Sequence, residues 1–515
     1  MEAALLEETI VLGAAELDAE TVRRIAVDGA RVRLDSGAME RVARNREALE
    51  AAIERGDSIY GVTTGLGALE RENVSAREAF PAQRAVLRSH AAGVGVPLPH
   101  EVVRGAIAIR LQGLLRGYSG IRPLVLERIA ALLNSDLVPV VPRIGSLGAS
   151  GDLAPSAHAF LPLIGEGELE DADGRRGPAA EILADHGLEP LELVPKEALA
   201  LINGTHFMAG IGALVAVRAQ NLVDAADAIA ALTLEALYGQ PGAFEARVHA
   251  LRELDGQATA ASHVRAMVAG SERMGAPNGS VQDAYSLRCI PQVHGAAREA
   301  LAFFSGLVEV DLNAVTDNPL VFDDPLAVVS AGNFHGQSLA LAFDTLRIAL
   351  ADLGSISERR AFSLVSPSLN GGLPAFLSRN AGAGSGYMVA HYTAAALLAE
   401  LRALSSPVSV DNIPTSDNQE DHVSMGMTAA LRSLDSCEAL TTLLAVEAVC
   451  AAQAVDLSCG RLGESTSRLL HLIRDSVPTL VDDRPPANDI TTVAQVIAGG
   501  QVAAVLAGSA SVTAQ

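Results

Sequence analysis

The stretch Gly145-Ser-Leu-Gly-Ala-Ser-Gly-Asp-Leu-Ala-Pro155 carries three glycines and two serines in its first seven residues. It follows the apolar run Val138-Pro-Val-Val-Pro142 and leads into an apolar Leu/Ala/Pro segment. Glycine costs ordering entropy and is kept where a positive φ or a close approach is required, so this density predicts an unusual backbone conformation. A serine-hydrolase elbow needs a strand before the serine and a glycine two residues after it. Here Asp152 stands two after Ser150 and no strand pattern precedes it. The other use of Ala149-Ser150-Gly151 is backbone chemistry. Attack of the Gly151 amide nitrogen on the Ala149 carbonyl closes a ring, and loss of two waters leaves a methylidene built from the Ser150 side chain. Gly is the least hindered attacking residue, Ala is small, Ser supplies the leaving hydroxyl, and the flanking glycines permit the strain. The product is a strong electrophile.

The 515 residues are 49% hydrophobic, only 3% aromatic and without Trp, and Ala, Leu and Val dominate, which favours helix packing over β-sandwiches. A formal charge of −23, from 38 basic and 61 acidic side chains, argues against nucleic acid and anionic membrane as partners. Lys196 is the sole lysine and no Gly-Lys pair occurs, which disfavours pyridoxal-phosphate enzymes and P-loops. Cys289, Cys437, Cys450 and Cys459 show no Cys-x-x-Cys spacing and read as reduced thiols; the 12 histidines include no His-Glu-x-x-His, so no metal site is expected. The acidic N-terminus lacks a signal-peptide pattern, and Thr491–Gln515 reads as one buried helix rather than a membrane span. A cytoplasmic enzyme is expected.

Helical patterns cover Asp18–Ala26, Gly37–Arg55, Glu78–Gly93, Val102–Gly117 and Arg122–Asn134, and Gly165–Pro178 reads as an exposed hairpin or loop. Phe207–Tyr238 is nearly free of Pro and Gly and apolar on more than one face, interrupted by Asp224 and Asp227. Leu287–Val310, Gln337–Phe362, Met388–Leu404 and Met425–Leu457 repeat the type, predicting a central bundle of long helices. Dense polar loops between them suggest a rigid frame presenting a site at helix ends. The expected division is 1–202 with the Gly-rich loops, 203–460 with the long helices, and 461–515.

Eight further motifs lie in one order: Tyr60-Gly-Val-Thr-Thr-Gly-Leu-Gly67, Ser89-His-Ala-Ala-Gly93, Gly117-Tyr-Ser-Gly-Ile-Arg122, Asn203-Gly-Thr205, Val281-Gln-Asp-Ala-Tyr-Ser-Leu-Arg-Cys289, Thr316-Asp-Asn-Pro-Leu-Val-Phe322, Gly332-Asn-Phe-His-Gly336 and Asn418-Gln-Glu-Asp-His-Val-Ser-Met425. With Gly145–Pro155 they make the chain resemble the methylidene-imidazolone (MIO)-dependent aromatic amino acid ammonia-lyases. The resemblance implies a mainly α-helical, fumarase/aspartase-like architecture, with the MIO-bearing loop in the N-terminal domain. It also implies a homotetramer whose sites are shared between subunits, and MIO formed from Ala149, Ser150 and Gly151 with no external cofactor.

By the same resemblance Tyr60 is the candidate base and Arg288 the carboxylate clamp. Tyr285, Asn203, Gln282 and Asn318 match positions near the prosthetic group or substrate, and Phe334 matches an aromatic that packs on the MIO ring. The Ser89-His90 pair and Glu420, beside Gln419, match the histidine-type members, with Glu420 as an imidazole partner that could share in proton transfer. The implied reaction is L-histidine to trans-urocanate and ammonia, the entry step of histidine degradation; a tyrosine or phenylalanine lyase or 2,3-aminomutase is the alternative. Taken singly, Tyr60 could be a packed aromatic, Arg288 an ion-pair partner and His90 a satisfied helical histidine. Ala331, Gly384-Ser-Gly-Tyr387 and Leu401-Arg402 depart from the usual pattern, and Tyr387 brings a hydroxyl that is a candidate for the pocket lining.

Overall fold

The computed structural model describes residues 9–277 and 281–510. It is mainly helical, as expected. Local side-chain signals start several helices. The Asp18 side chain accepts the Thr21 amide at 2.7 Å and starts the helix Ala19–Ala26. Ser75 and Glu78 form a reciprocal capping box that starts Ala76–His90. The Gly165–Pro178 segment folds as the antiparallel strands Glu168–Glu170 and Arg176–Pro178, with Val138–Pro139 added as a third strand.

Contacts divide the chain into two compact units made of interleaved segments, a different partition from three successive stretches. One unit comprises Met1–Val217, Ser305–Phe343 and Pro407–Leu431; the other comprises Arg218–Phe304, Asp344–Ser406 and Arg432–Gln515. Loops distant in sequence therefore belong to one unit, because the long helices carry the chain away and back. The first unit holds the Gly-rich loops. Its helix His100–Leu114 is buried from Val102 onward, polar residues included. Arg104 and Gln112 on it are satisfied by carbonyls of Ile25, Leu133 and Ala15, which is how a helix buried all round tolerates them.

In the second unit the buried polar residues of the long helices answer one another. Glu447 accepts from Arg360, Thr233 and Ser357. Asp227 accepts from His294, His263 and Arg298, and these contacts hold its carboxyl well below the usual range despite burial. The apolar helices His206–Ala236, Ile290–Leu312, Gln337–Val365 and Gly426–Asp456 are as long as the pattern predicted. Of these, Gly426–Asp456 is long and apolar enough to cross a membrane, yet 78% of its apolar stretch is buried in the protein.

Most helix ends shift from expectation by up to three residues, and two expected helices are broken. The 287–310 pattern breaks at Cys289: Tyr285–Arg288 forms one turn and the long helix begins at Ile290. The C-terminal segment is two helices, Pro486–Ala498 and Gln501–Ala510, bent by 57°, because Gly500 takes φ +76°. Its last residues, 511–515, lie outside the described residues. The four cysteines are free thiols, and burial pushes Cys437 and Cys450 up to about 12.

Candidate active site

A cavity of about 500 Å³ opens in the first unit. Tyr60, His90, Ala149, Ser150, Asn203 and Glu420 share its wall with Ser89, Ser416 and the apolar side chains Leu66, Leu69, Leu147, Leu153 and Leu199. A few polar groups in an apolar lining are what a small-molecule site requires.

The Ala149–Gly151 turn forms the cavity's most constrained edge. The Gly151 amide donates to the Gly148 carbonyl at 3.1 Å, and Ser150 is held at φ +50°. At Gly151 a Cβ would lie 2.1 Å from the Gly204 carbonyl oxygen, so only glycine fits. Both flanks are pinned: the Gly204 amide donates to the Ser150 carbonyl at 3.1 Å and the Asp152 amide to the Gly204 carbonyl at 2.8 Å. Ser146 Oγ donates to the Gly151 carbonyl at 3.2 Å. A small, strained, fully braced tripeptide suits a ring made from its own backbone, so these residues fit the prosthetic group.

Asp152, next in sequence, is fully buried. Its Oδ2 accepts the Phe207 and Met208 amides at 2.9 and 3.0 Å, at the start of the His206–Ala236 helix. Its Oδ1 has no partner. Burial nevertheless pushes the carboxyl up to about 8, which favours the protonated form.

The Tyr60 loop and the Glu420 loop meet in the same cavity's wall. The Gly67 amide donates to Tyr60 Oη at 2.9 Å. Burial, with the charges of Glu420 and Glu70, holds the phenol above its ordinary value, and only the Gly67 N–H works in the other direction. Ser416 Oγ accepts the Ala68 amide at 3.2 Å and ties the two loops together. Ser416, Asp417 and Asn418 all take positive φ, between 52° and 64°, before the chain reaches Glu420. One carboxylate oxygen of Glu420, Oε2, is buried without a partner.

His90 is the last residue of its helix, with Nδ1 2.8 Å from the Val86 carbonyl. A carbonyl only accepts, so Nδ1 carries the proton and a neutral ring keeps its lone pair on Nε2. Asn203, 3% exposed, donates through Nδ2 to the Asn318 carbonyl at 2.7 Å. Asn318 is thereby one hydrogen bond behind the wall; its own side chain accepts the Ala331 amide at 2.8 Å.

The other candidates are not among the cavity's lining residues. Phe334 is half-buried and Gln419 is exposed in its loop. Gln282, Tyr285 and Arg288 belong to the second unit. There Tyr285 is 71% exposed, and the Arg288 guanidinium stacks 4.6 Å over its ring. The Tyr387 hydroxyl is not a free pocket group: the side chain is fully buried and donates to Asp489 at 3.1 Å.

Sequence reasoning did not single out Asp152, Gly204 or Ser416. Their roles rest on contacts 55, 54 and 348 residues away in the chain, which no local pattern signals. A second hollow of about 450 Å³, near Arg88, His158 and Glu166, holds none of the candidates. One group of potential metal ligands, Asp224, Asp227 and His263, occurs among the described residues. The Arg298 guanidinium already bonds both carboxylates, so a cation stands there already.

The sequence profile of the aromatic amino acid lyases matches residues 17–475. Histidine ammonia-lyase of Geobacillus thermodenitrificans is 47% identical over 98% of this chain and 100% of its own length. Among solved structures, histidine ammonia-lyase from Trypanosoma cruzi superposes with a TM-score of 0.91 at 35% identity, over 98% of this chain and 96% of that one. Tyrosine aminomutase from Streptomyces globisporus does so with a TM-score of 0.92 at 37% identity, over 97% and 98%.

Proposed function

The chain belongs to the aromatic amino acid lyase family, and we propose that it catalyses the non-oxidative deamination of L-histidine to trans-urocanate and ammonia. Formed from Ala149, Ser150 and Gly151, the methylidene-imidazolone supplies an electrophile for the substrate's α-amino group and makes ammonia a good leaving group. The remaining work falls to side chains. Tyr60 takes the β-proton, and Arg288 forks onto the carboxylate, where a planar bidentate donor is best suited. Tyr285, Gln282, Asn203 and Asn318 orient the amino acid around the reacting atoms, and Phe334 packs beside the ring.

The observation that carries the choice of histidine is the unpartnered Oε2 of Glu420 in the same cavity as His90. A substrate imidazole has one N–H for a carboxylate and, with His90 Nε2 as acceptor, a place for a second when protonated. A phenyl ring would leave a buried carboxylate oxygen unpaired, a cost that produces strong discrimination. The Gly67 amide on Tyr60 Oη supports Tyr60 as the base, because it favours the phenolate. Burial works against it, so the site requires an added positive charge. Arg288 of a neighbouring subunit provides it in the homotetramer we propose. The exposed Tyr285 beside it, with the exposed Val281 on the same loop, is the surface such a subunit would bring. The enzyme acts in the cytoplasm in this reading.

Assays of histidine, tyrosine and phenylalanine side by side test the proposal. Histidine should exceed the others by about a hundredfold or more in kcat/KM. Turnover of tyrosine but not histidine would defeat it. A second reading, a 2,3-aminomutase, rests on the likeness to the tyrosine aminomutase, and a β-amino acid product would establish it.

A further inference from the structure

Lys196 is one lysine among 38 basic residues. Arginine serves wherever else this chain carries a long-lived cation, so an ammonium at 196 calls for a local reason. The side chain is fully buried, with Nζ 2.8 Å from Oδ2 of an equally buried Asp317. A second cation shares that carboxylate: Arg110 lies 3.9 Å from Oδ1 and donates to the Ala200 carbonyl, while its Nε has no partner. Burial pushes both cations' pKa values down, and Asp317 opposes this. Two buried cations on one carboxylate are an expensive arrangement that apolar packing could replace without loss of stability. A compact ammonium fits beside the Arg110 guanidinium where a second planar fork would compete for the same oxygens.

What the pair holds in place lies directly behind the cavity. Thr316, next to Asp317, puts Oγ1 2.5 Å from where a Gly204 Cβ would stand, and that oxygen accepts the Thr205 amide at 3.3 Å. Asn318, on the other side, accepts from the Asn203 side chain. Gly204 in turn bonds the Ser150 carbonyl and the Asp152 amide, on either side of Gly151. Lys196 also starts the helix Glu197–Ile202 from a left-handed φ of 84°, and that helix ends at Asn203. Both ends of this short helix are therefore tied to the 316–318 segment.

We propose that Lys196 is a positioning residue whose ammonium, through Asp317, clamps Thr316–Asn318 against Asn203–Gly204, setting the ledge on which the Ala149–Gly151 turn rests and from which Asn203 faces the substrate. The inference rests on the function proposed above.

Lys196→Arg keeps the charge and Lys196→Met the length. Each is made with and without Asn203→Ala, and intact mass, kcat and KM for histidine are measured. The clamp predicts chains that only partly lose two waters. It also predicts, per dehydrated chain, about a tenfold or larger fall in kcat with KM changed less than about threefold. Lys196→Arg should cost at least about fivefold less when Asn203 is already Ala, because the two residues act along one path. Complete dehydration with independent, multiplicative losses overturns the proposal, as does a Lys196→Arg enzyme equal to the wild type. If Lys196→Met fails to fold, Lys196→Arg and Asp317→Asn decide by the same criteria. A dehydrated wild type that leaves histidine untouched defeats the functional reading instead, and the dehydration yield then judges the clamp alone.

Discussion

Ser150 sits at φ +50° in a turn whose next residue admits no Cβ, and in the function proposed here its hydroxyl is a leaving group rather than a nucleophile. Ser150→Ala should therefore leave the chain at its unmodified mass and lower kcat/KM by about a thousandfold or more, with an unchanged thermal unfolding curve. Tyr60→Phe should lose roughly a hundredfold to ten-thousandfold in kcat, the range of a general base, while still losing two waters; near-normal turnover would remove Tyr60 from that role. Asp152 gives a prediction about stability. Its folded pKa of about 8 lies above the ordinary 3.8, so the folded chain keeps a proton that the unfolded chain releases. Stability from this group is complete below about pH 4 and is lost as pH rises through about 8. Relative to Asp152→Asn, the wild type should weaken across that window, by an amount on the order of a few kcal/mol, and then level off. Denaturant unfolding at several pH values checks this; a constant difference would contradict it. The residue types for this chemistry were legible in sequence because Ala-Ser-Gly is a local requirement. The burial that raises the Asp152 carboxyl was not, since it depends on the tertiary fold, in which even the opposing amides come from a helix more than fifty residues on.

Among the elements, long helices were the easiest to read and the loops between them the hardest. A helix signals itself through composition over many residues, as His206–Ala236 does. The joint between the Tyr60 and Glu420 loops has no such signal, because its two halves are brought together only by the fold. That joint is testable. A Cβ on Gly67, at φ +54°, would stand 2.6 Å from Ser416 Oγ and 3.4 Å from Glu420 Oε1. Gly67→Ala should cost about 1 kcal/mol of backbone strain, and pushing the loops apart should lower kcat about tenfold or more. Adding Ser416→Ala removes the nearer obstacle and should restore part of the loss; kinetics and melting curves of both variants show whether it does. Breaks were missed where one residue decides them: Gly500 bends the C-terminal segment into two helices, although the apolar pattern runs through.

At the scale of the whole molecule, the cavity's own wall comes from one compact unit, while Tyr285 and Arg288 sit on the other. If sites are completed between subunits, co-expressing Tyr60→Phe with Tyr285→Phe should yield more activity than either variant alone. The recovery should reach up to about a quarter of the wild-type level, since a mixed assembly can draw an intact Tyr60 and an intact Tyr285 from different chains. Purified assemblies with no gain would argue that each chain builds its own site. Sequence by itself determined the helical class of this protein and singled out the tripeptide from which the proposed electrophile forms. Both follow from local facts: Ala-Ser-Gly can cyclise where few tripeptides can, and uninterrupted apolar stretches have to bury themselves against one another. Only the tertiary structure decided which polar loops share a wall, that Glu420 keeps an unanswered carboxylate oxygen there, and that the lone lysine stands behind the tripeptide. Burial and hydrogen-bond satisfaction are properties of surroundings, and those surroundings are assembled from residues hundreds of positions apart.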